Sequence, residues 1–314
     1  MLQPSLVSAQ AATVRTGFDM LELGVGADIL RAAGWVYVGL ALICGAAALI
    51  WTPKWWGKLI ALVLVLGAFA YLPVTKHIEA RDRANAWKAK YEAVMAMFQK
   101  RCESAGEKIT RVVENVEGIM ILKPRPAKWN LEDQFELNDP YAGSMGGDSY
   151  IMDYLVGRTK SGKRESSLHT RNAFRYVDVV DAKDNVRYRY RGIPTSKGPH
   201  IPYFELVKSV AEGPAPRYGV TWADLSTKLD RENWIAGSSL QVIDTSSGEV
   251  IAERIGYMVD PGLGNRHNAR APWAFAARAA CPAFEIRSAS RTIDYDSRNG
   301  AFVYQVLKPH RTEK

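Results

Sequence analysis

Residues 33–51 read AGWVYVGLALICGAAALIW, and residues 59–74 read LIALVLVLGAFAYLPV. No charged residue stands in either stretch. The first is about 19 residues, the length that crosses a hydrocarbon core of roughly 30 Å as a helix. Trp35 and Tyr37 stand at one end and Trp51 at the other, where amphipathic rings favour the membrane–water boundary. Gly39, Gly45, Ala46, Ala47 and Ala48 leave room for close helix packing. The second stretch is short for a span. Gly57 and Lys58 extend it, the lysine by reaching toward headgroups, and Tyr71 and Pro73 mark its far end. The link TPKWWGK at 52–58 is tight and tryptophan-rich, as a turn at a membrane surface would be. The expectation is a two-helix transmembrane hairpin over 33–75. A signal peptide fits poorly, because the first run begins late and the second follows with no small-residue cleavage site between them. Burying both runs inside a soluble fold would take an unusually large core.

Outside these runs the chain is ordinary. It has 314 residues, 47% hydrophobic and 24% charged, with a net charge of +8. Roughly 240 residues follow the second run, enough for a domain with its own core. A basic balance raises nucleic-acid binding for a cytosolic chain, but no RNP-like, zinc-knuckle or helix-turn-helix pattern accompanies it. Next to a bilayer, basic residues meet anionic headgroups instead. The lipid bilayer is therefore an expected partner, and nucleic acid is not.

Residues 1–32 form an N-terminal tail. Phe18, Leu21, Leu23, Ile29 and Leu30 would suit a short amphipathic helix lying on the bilayer. Over 76–108 the chain is charged, with Ala84, Trp87, Tyr91, Val94, Met95 and Phe98 at helical spacing. That pattern predicts a helical stalk, with Ala105 and Gly106 near its end. From 109 to 314 the periods shorten. Arg111–Lys123 reads as a strand with Gly118 as a bulge, stopped by Pro124 and Pro126. Arg175–Val180 and Val186–Tyr190 flank the turn DAKDN, and Leu240–Asp244 and Val250–Val259 flank TSSGE, which predicts two hairpins. Pro272–Ala280 reads as a short helix, and Phe302–Leu307 as a final strand. The sum is a soluble α+β domain with a mainly antiparallel sheet.

Few residues suggest chemistry. DPYAGSMGGDSY at 139–150 and PGLGNRHNAR at 261–270 are glycine-rich, but the first follows no strand and lacks the GK[ST] of a phosphate-binding loop. Both read better as loops. His77, His169, His200, His267 and His310 have no second ligand at metal spacing. No G-x-S-x-G elbow occurs. Neither catalytic, cofactor-binding nor metal-ligating residues are expected, and no cofactor. The run GRTKSGKRESSLHTRNAFR at 157–175 is basic. Arg158, Lys160, Lys163, Arg164 and Arg171 would serve either as a solvated loop or as a contact surface for an acidic partner or anionic lipid.

The side of the membrane is ambiguous. Arg15 and Arg31 precede the first run and Lys76, Arg81, Arg83, Lys88 and Lys90 follow the second, against Lys54 and Lys58 in the turn. The positive-inside rule then places both termini in the cytoplasm. Cys102 and Cys281 bracket the soluble part, while Cys44 lies within the first run. A bond between them would close a loop of roughly 180 residues, worth about 4–5 kcal/mol in the chain-entropy view. It would persist in the periplasm and rarely in the cytosol. Two free, buried thiols are the other reading.

Six blocks carry a resemblance: RCESAGEKI at 101–109, VENVEGIMILKPR at 113–125, RYVDVVD at 175–181, WIAGSSLQVID at 234–244, GEVIAERIGYMVD at 248–260 and ACPAF at 280–284. In these the chain resembles uncharacterised proteobacterial membrane-anchored proteins associated with type VI secretion effectors. The resemblance implies an extracytoplasmic domain on the bacterial inner membrane, with Cys102 and Cys281 as its disulfide pair. It also implies an immunity-like role, the binding of a toxic effector protein. An assembly component of an envelope secretion or pilus machine and a membrane-bound hydrolase are the alternatives.

Overall fold

We analysed a computed structural model. It describes residues 25–127, 131–135, 139, 146–156, 173–195, 203–287, 292–294 and 300–310. Two compact units divide the chain at Lys88 and Ala89.

The first unit is helical. Helix α1 runs Val25–Trp51, and helix α2 runs Trp55–Cys102. The break falls where Pro53 withholds a backbone donor and biases Thr52 away from helical torsions. The Thr52 hydroxyl donates to the Ala48 carbonyl at 2.6 Å, occupying one of the acceptors that a helix end leaves open. Tyr37 and Phe69 meet edge to face, ring centroids 5.2 Å apart, and the Tyr37 hydroxyl donates to the Phe69 carbonyl. Both helices are long and apolar enough to cross a membrane. Trp35, Leu42, Ile43, Ile50, Leu59, Val63 and Leu64 are all exposed, far more contiguous apolar surface than a soluble monomer tolerates. Of the amphipathic stretch expected in the tail, Ile29 and Leu30 belong to α1; Phe18, Leu21 and Leu23 lie outside the described residues.

The second unit is built on a nine-stranded mixed sheet. Its strands are β1 (Gly106–Ile109), β3 (Gly118–Ile121), β4 (Tyr176–Val180), β5 (Arg187–Thr195), β6 (Tyr203–Val210), β7 (Tyr218–Asp224), β8 (Ile235–Asp244), β9 (Glu249–Val259) and the short β10 (Ala280–Cys281). The order is β1-β9-β8-β7-β3-β4-β5-β6, with β10 also on β9. β3 runs parallel to both its neighbours, β4 and β7, and every other pair is antiparallel. Strand β2 (Val113–Val116) pairs instead with the C-terminal β13 (Leu307–Pro309), and β11 (Glu285–Arg287) with β12 (Thr292–Asp294).

Side chains alternate across a strand, and burial follows that period. Ile119, Ile121, Val177, Val179, Val220, Leu240 and Val242 face one way. Helices α3 (Asp148–Leu155) and α6 (Gly300–Val306) cover them through Tyr150, Tyr154, Phe302 and Val303. Further along the same face, Ala236 and Met258 pack with Trp234, Phe284 and Trp273 of α5 (Pro272–Ala276). On the other face, Ile235, Tyr257 and Val259 hold Val94 and Phe98 of α2. The remaining short helix, α4 (Lys228–Glu232), starts with a capping box in which Thr227 and Asp230 satisfy each other's backbone donors.

Both hairpins form as expected, with β5 running on to Thr195 in the first and β8 beginning already at Ile235 in the second. Four segments differ from the expectation. The helix expected over Pro272–Ala280 ends at Ala276, and Ala280 already belongs to β10. Helix α2 closes at Cys102, short of Lys108, and Gly106–Ile109 is already β1. The stretch 111–123 is two strands, β2 ending at Val116 and β3 opening at Gly118, which therefore starts a strand instead of bulging one; Asn115, left-handed at φ 61°, lies within β2. A Cβ on Gly118 would lie 2.3 Å from the Tyr176 ring, so glycine there serves a close approach between β3 and β4. Residues 300–306 are helix and strand β13 begins only at Leu307. That segment is buried on nearly all sides, so its composition shows no period that separates helix from strand.

Candidate interaction surface

Cys102 and Cys281 are disulfide-bonded, their Cα atoms 5.7 Å apart and 179 positions apart in sequence. Cys102 is the last residue of α2, and Cys281 pairs in β10 with Tyr257 of β9. β1 pairs with the neighbouring stretch of β9, Ala252–Ile255. Beside the bond, Arg101 reaches Asp230 with Nε at 3.0 Å. That hydrogen bond, against some loss of hydration, raises the Arg101 pKa.

The described residues of the two glycine-rich segments serve structural contacts. Asp139, from 139–150, accepts from Arg125 Nη2 at 2.5 Å and from Ser238 Oγ at 2.7 Å. The Arg125 guanidinium lies 4.1 Å over the Tyr150 ring, and the Tyr154 hydroxyl donates to that of Tyr150 at 3.2 Å. Burial works against the Arg125 charge, yet Asp139 with Tyr150 and Tyr154 together outweigh it and the pKa ends above the usual arginine value. Burial pushes both phenols up. The Gly147 amide donates to the Arg125 carbonyl at 3.0 Å. A Cβ on Gly146 would fall 1.9 Å from the Pro126 carbonyl oxygen. These glycines let backbone approach backbone, and the charges face inward to each other.

In 261–270 the organiser is the buried Asp260. It accepts from Gly262 N at 3.0 Å, Gly264 N at 2.8 Å and Arg270 Nη1 at 2.9 Å, with Arg270 Nη2 also in contact. Gly264 has φ +84°, and a Cβ there would strike the Trp234 ring at 2.2 Å. Arg266 Nη2 donates to the Glu132 carbonyl, and Trp273 Nε1 to that of Asp133 at 2.7 Å, so the segment 131–135 is strapped to this lobe. Among the described residues no group of histidine, cysteine and carboxylate side chains is placed to hold a metal ion.

Among the described residues, exposed sheet surface lies at β5 and β6, beside the buried β4. Asp178 is fully buried under Arg189, whose Nε and Nη2 donate to its two oxygens at 2.8 and 2.9 Å, with Arg187 Nε at 3.7 Å. The hydrogen bond to Asp178 is the main reason the Arg189 pKa is raised. Arg189 also lies 3.8 Å over the Tyr176 ring. On the other side of the strand, Lys208 sits 3.8 Å over Tyr188 and pairs with Asp181 at 3.3 Å. Loss of hydration opposes the Lys208 charge, but Asp181 and Tyr190 together outweigh it and the pKa is raised. Asp181 is lowered, first by the Lys183 amide and then by Lys208. Beyond these, Arg191 is exposed and Ile193, Val207 and Val210 are 50, 37 and 62% exposed. The sequence did carry a signal for this surface: RYRYR at 187–191 alternates cation and ring with a strand's period.

The basic cluster Arg158, Lys160, Lys163, Arg164 and Arg171, expected as a contact surface, lies outside the described residues. Comparison with protein-family models, curated proteins and solved structures finds no match to this chain.

Proposed function

We propose that the chain is a protein-binding module tethered to the bacterial inner membrane by α1 and the apolar part of α2, with its sheet domain in the periplasm. The observation that carries this reading is the Cys102–Cys281 bond at the end of the helix that begins in the apolar hairpin. A bond of this kind lasts in an oxidising compartment. It outweighs the lysine and arginine count, because the charge rule is a statistical bias in insertion whereas the bond needs an oxidant.

The partner in this reading is a secreted antibacterial effector, and the role is that of an immunity protein. The six resembling blocks between residues 101 and 284 support it. The mechanism is occlusion: a rigid, internally ion-paired domain covers the toxin's working surface. The tether confines that domain to the layer where a wall- or lipid-attacking toxin acts and so raises its effective concentration there. Occlusion needs no catalytic group.

The test is co-expression with the toxin encoded beside this chain's gene, directed to the periplasm. Cells making the full chain should grow, and cells lacking it should die. Death despite full-length chain in the membrane fraction, with no binding of the toxin to the purified chain, overturns the proposal.

A further inference from the structure

Strand β6 is the last in the sheet, and among the described residues nothing pairs with its outer edge. Its backbone orientation is fixed by one bond: the Ala211 amide donates to the Arg187 carbonyl at 2.8 Å. In an antiparallel pair, residues opposite one another alternate between bonded and non-bonded positions. With Arg187 and Ala211 bonded, Arg189 with Ser209 and Arg191 with Val207 are bonded in the same way. The amides and carbonyls of Phe204, Leu206, Lys208 and Val210 therefore point outward, unpaired by β5. The edge is eight residues long, YFELVKSV, with neither proline nor glycine to interrupt it. Its lysine gives little protection, since Lys208 is drawn back over Tyr188 and held by Asp181. Natural edges are usually guarded against strand addition. This one is not.

We infer that β6 pairs antiparallel with β6 of a second copy of the chain, centred on Val207, to make one continuous sheet across two protomers. A two-fold pairing that keeps each face of the sheet continuous must set residues of equal parity opposite one another. Centring on Val207 does this. Glu205 then faces Ser209, Leu206 faces Lys208, Phe204 faces Val210, and Val207 faces itself. No like charges stand directly opposite, and Leu206 and Lys208 exchange the outward hydrogen bonds. Centring on Lys208 would oppose two ammonium groups, which destabilises a pair. A single added strand covers less than the roughly 800 Å² per partner of a standard interface. The pairing thus depends on copies already held together, and on this point alone it draws on the membrane tether of the function proposed above.

The geometry supplies its own test. Val207 would sit in a non-bonded pair with its counterpart, Cα atoms about 4.5 Å apart. Ser209 would lie roughly 13 Å along the strand from its own counterpart. In the full chain, in membranes and in a Cys44→Ala background, Val207→Cys should form a covalent dimer that disappears on reduction. Ser209→Cys should remain monomeric. Adding Lys208→Pro to Val207→Cys should abolish the dimer, because it deletes an outward amide while leaving the donors to β5 in place. A monomeric Val207→Cys whose Cys102–Cys281 bond is intact overturns the inference, including the case in which a different protein occupies the edge. Equal cross-linking of both cysteine variants, the mark of random collision, also overturns it. Toxin rescue is not part of this readout, so the two proposals fail separately.

Discussion

Cys102 and Cys281 are bonded at the point where helix α2 ends and strand β10 lies against β9. The chain between them holds β1 through β9, so one covalent link spans the whole assembly of the main sheet. In the chain-entropy account a loop of this size is worth about 4–5 kcal/mol. Cys102→Ser should lower unfolding stability by that order, read as a shift in the denaturant midpoint of the full chain in detergent. The reduced and oxidised wild-type chains should also differ in gel mobility, and the variant should show no such difference.

The buried pair Arg125 and Asp139 should behave asymmetrically. Removing one partner strands the other's charge in the interior, at about 3–5 kcal/mol, while replacing both with apolar side chains of similar volume is often close to neutral. Asp139→Ala should therefore destabilise strongly, and the double change Arg125→Met with Asp139→Leu should recover much of the loss. Chemical denaturation of the three chains measures both effects.

Asp244 predicts an acid-sensitive hairpin. Its carboxylate takes Arg217 Nη2 at 2.9 Å, Arg111 Nη2 at 3.0 Å and Ser246 Oγ at 2.6 Å. The hydrogen bond from Arg217, followed by that from Ser246, holds its pKa below the ordinary carboxylate value. A depressed folded value means stability fully present above the unfolded pKa, about 4 for aspartate, and lost as pH falls through the folded one. Asp244→Asn should be less stable than wild type at neutral pH, and the two should converge in acid. Unfolding curves from pH 7 downward check this.

Gly264→Ala combines two costs: a left-handed φ of +84° and a Cβ 2.2 Å from Trp234. The backbone part alone is about 1–3 kcal/mol, and displacing the ring would disturb its 5.4 Å packing on Trp273. A lower melting temperature and altered tryptophan fluorescence are expected. By contrast Gly213→Ala, where nothing lies within 4 Å, meets only the backbone cost at φ +76° and should perturb less.

The sequence was most legible where structure is local. The apolar helices declare themselves by uninterrupted runs, and the two hairpins by turn chemistry such as TSSGE, where Gly248 takes φ +74°. The placement of β3 between β4 and β7 was not legible, since those partners come from distant parts of the chain and parallel pairing leaves no turn between them. Nor was the Arg125–Asp139 pair: two charges in glycine- and proline-rich segments look like solvated loop until the fold buries them. The cysteines were visible as a possible pair. Residues alone did not choose between a bond and two thiols, because that choice depends on bringing together positions 179 apart.

The disulfide also determines what a protease can achieve. A single cut anywhere between residues 103 and 280, loops included, leaves two fragments joined through sulfur. Neither piece can diffuse away from helix α2. A nicked molecule would keep its parts together and its position in the cell, and only reduction or a cut outside that loop would set the domain free.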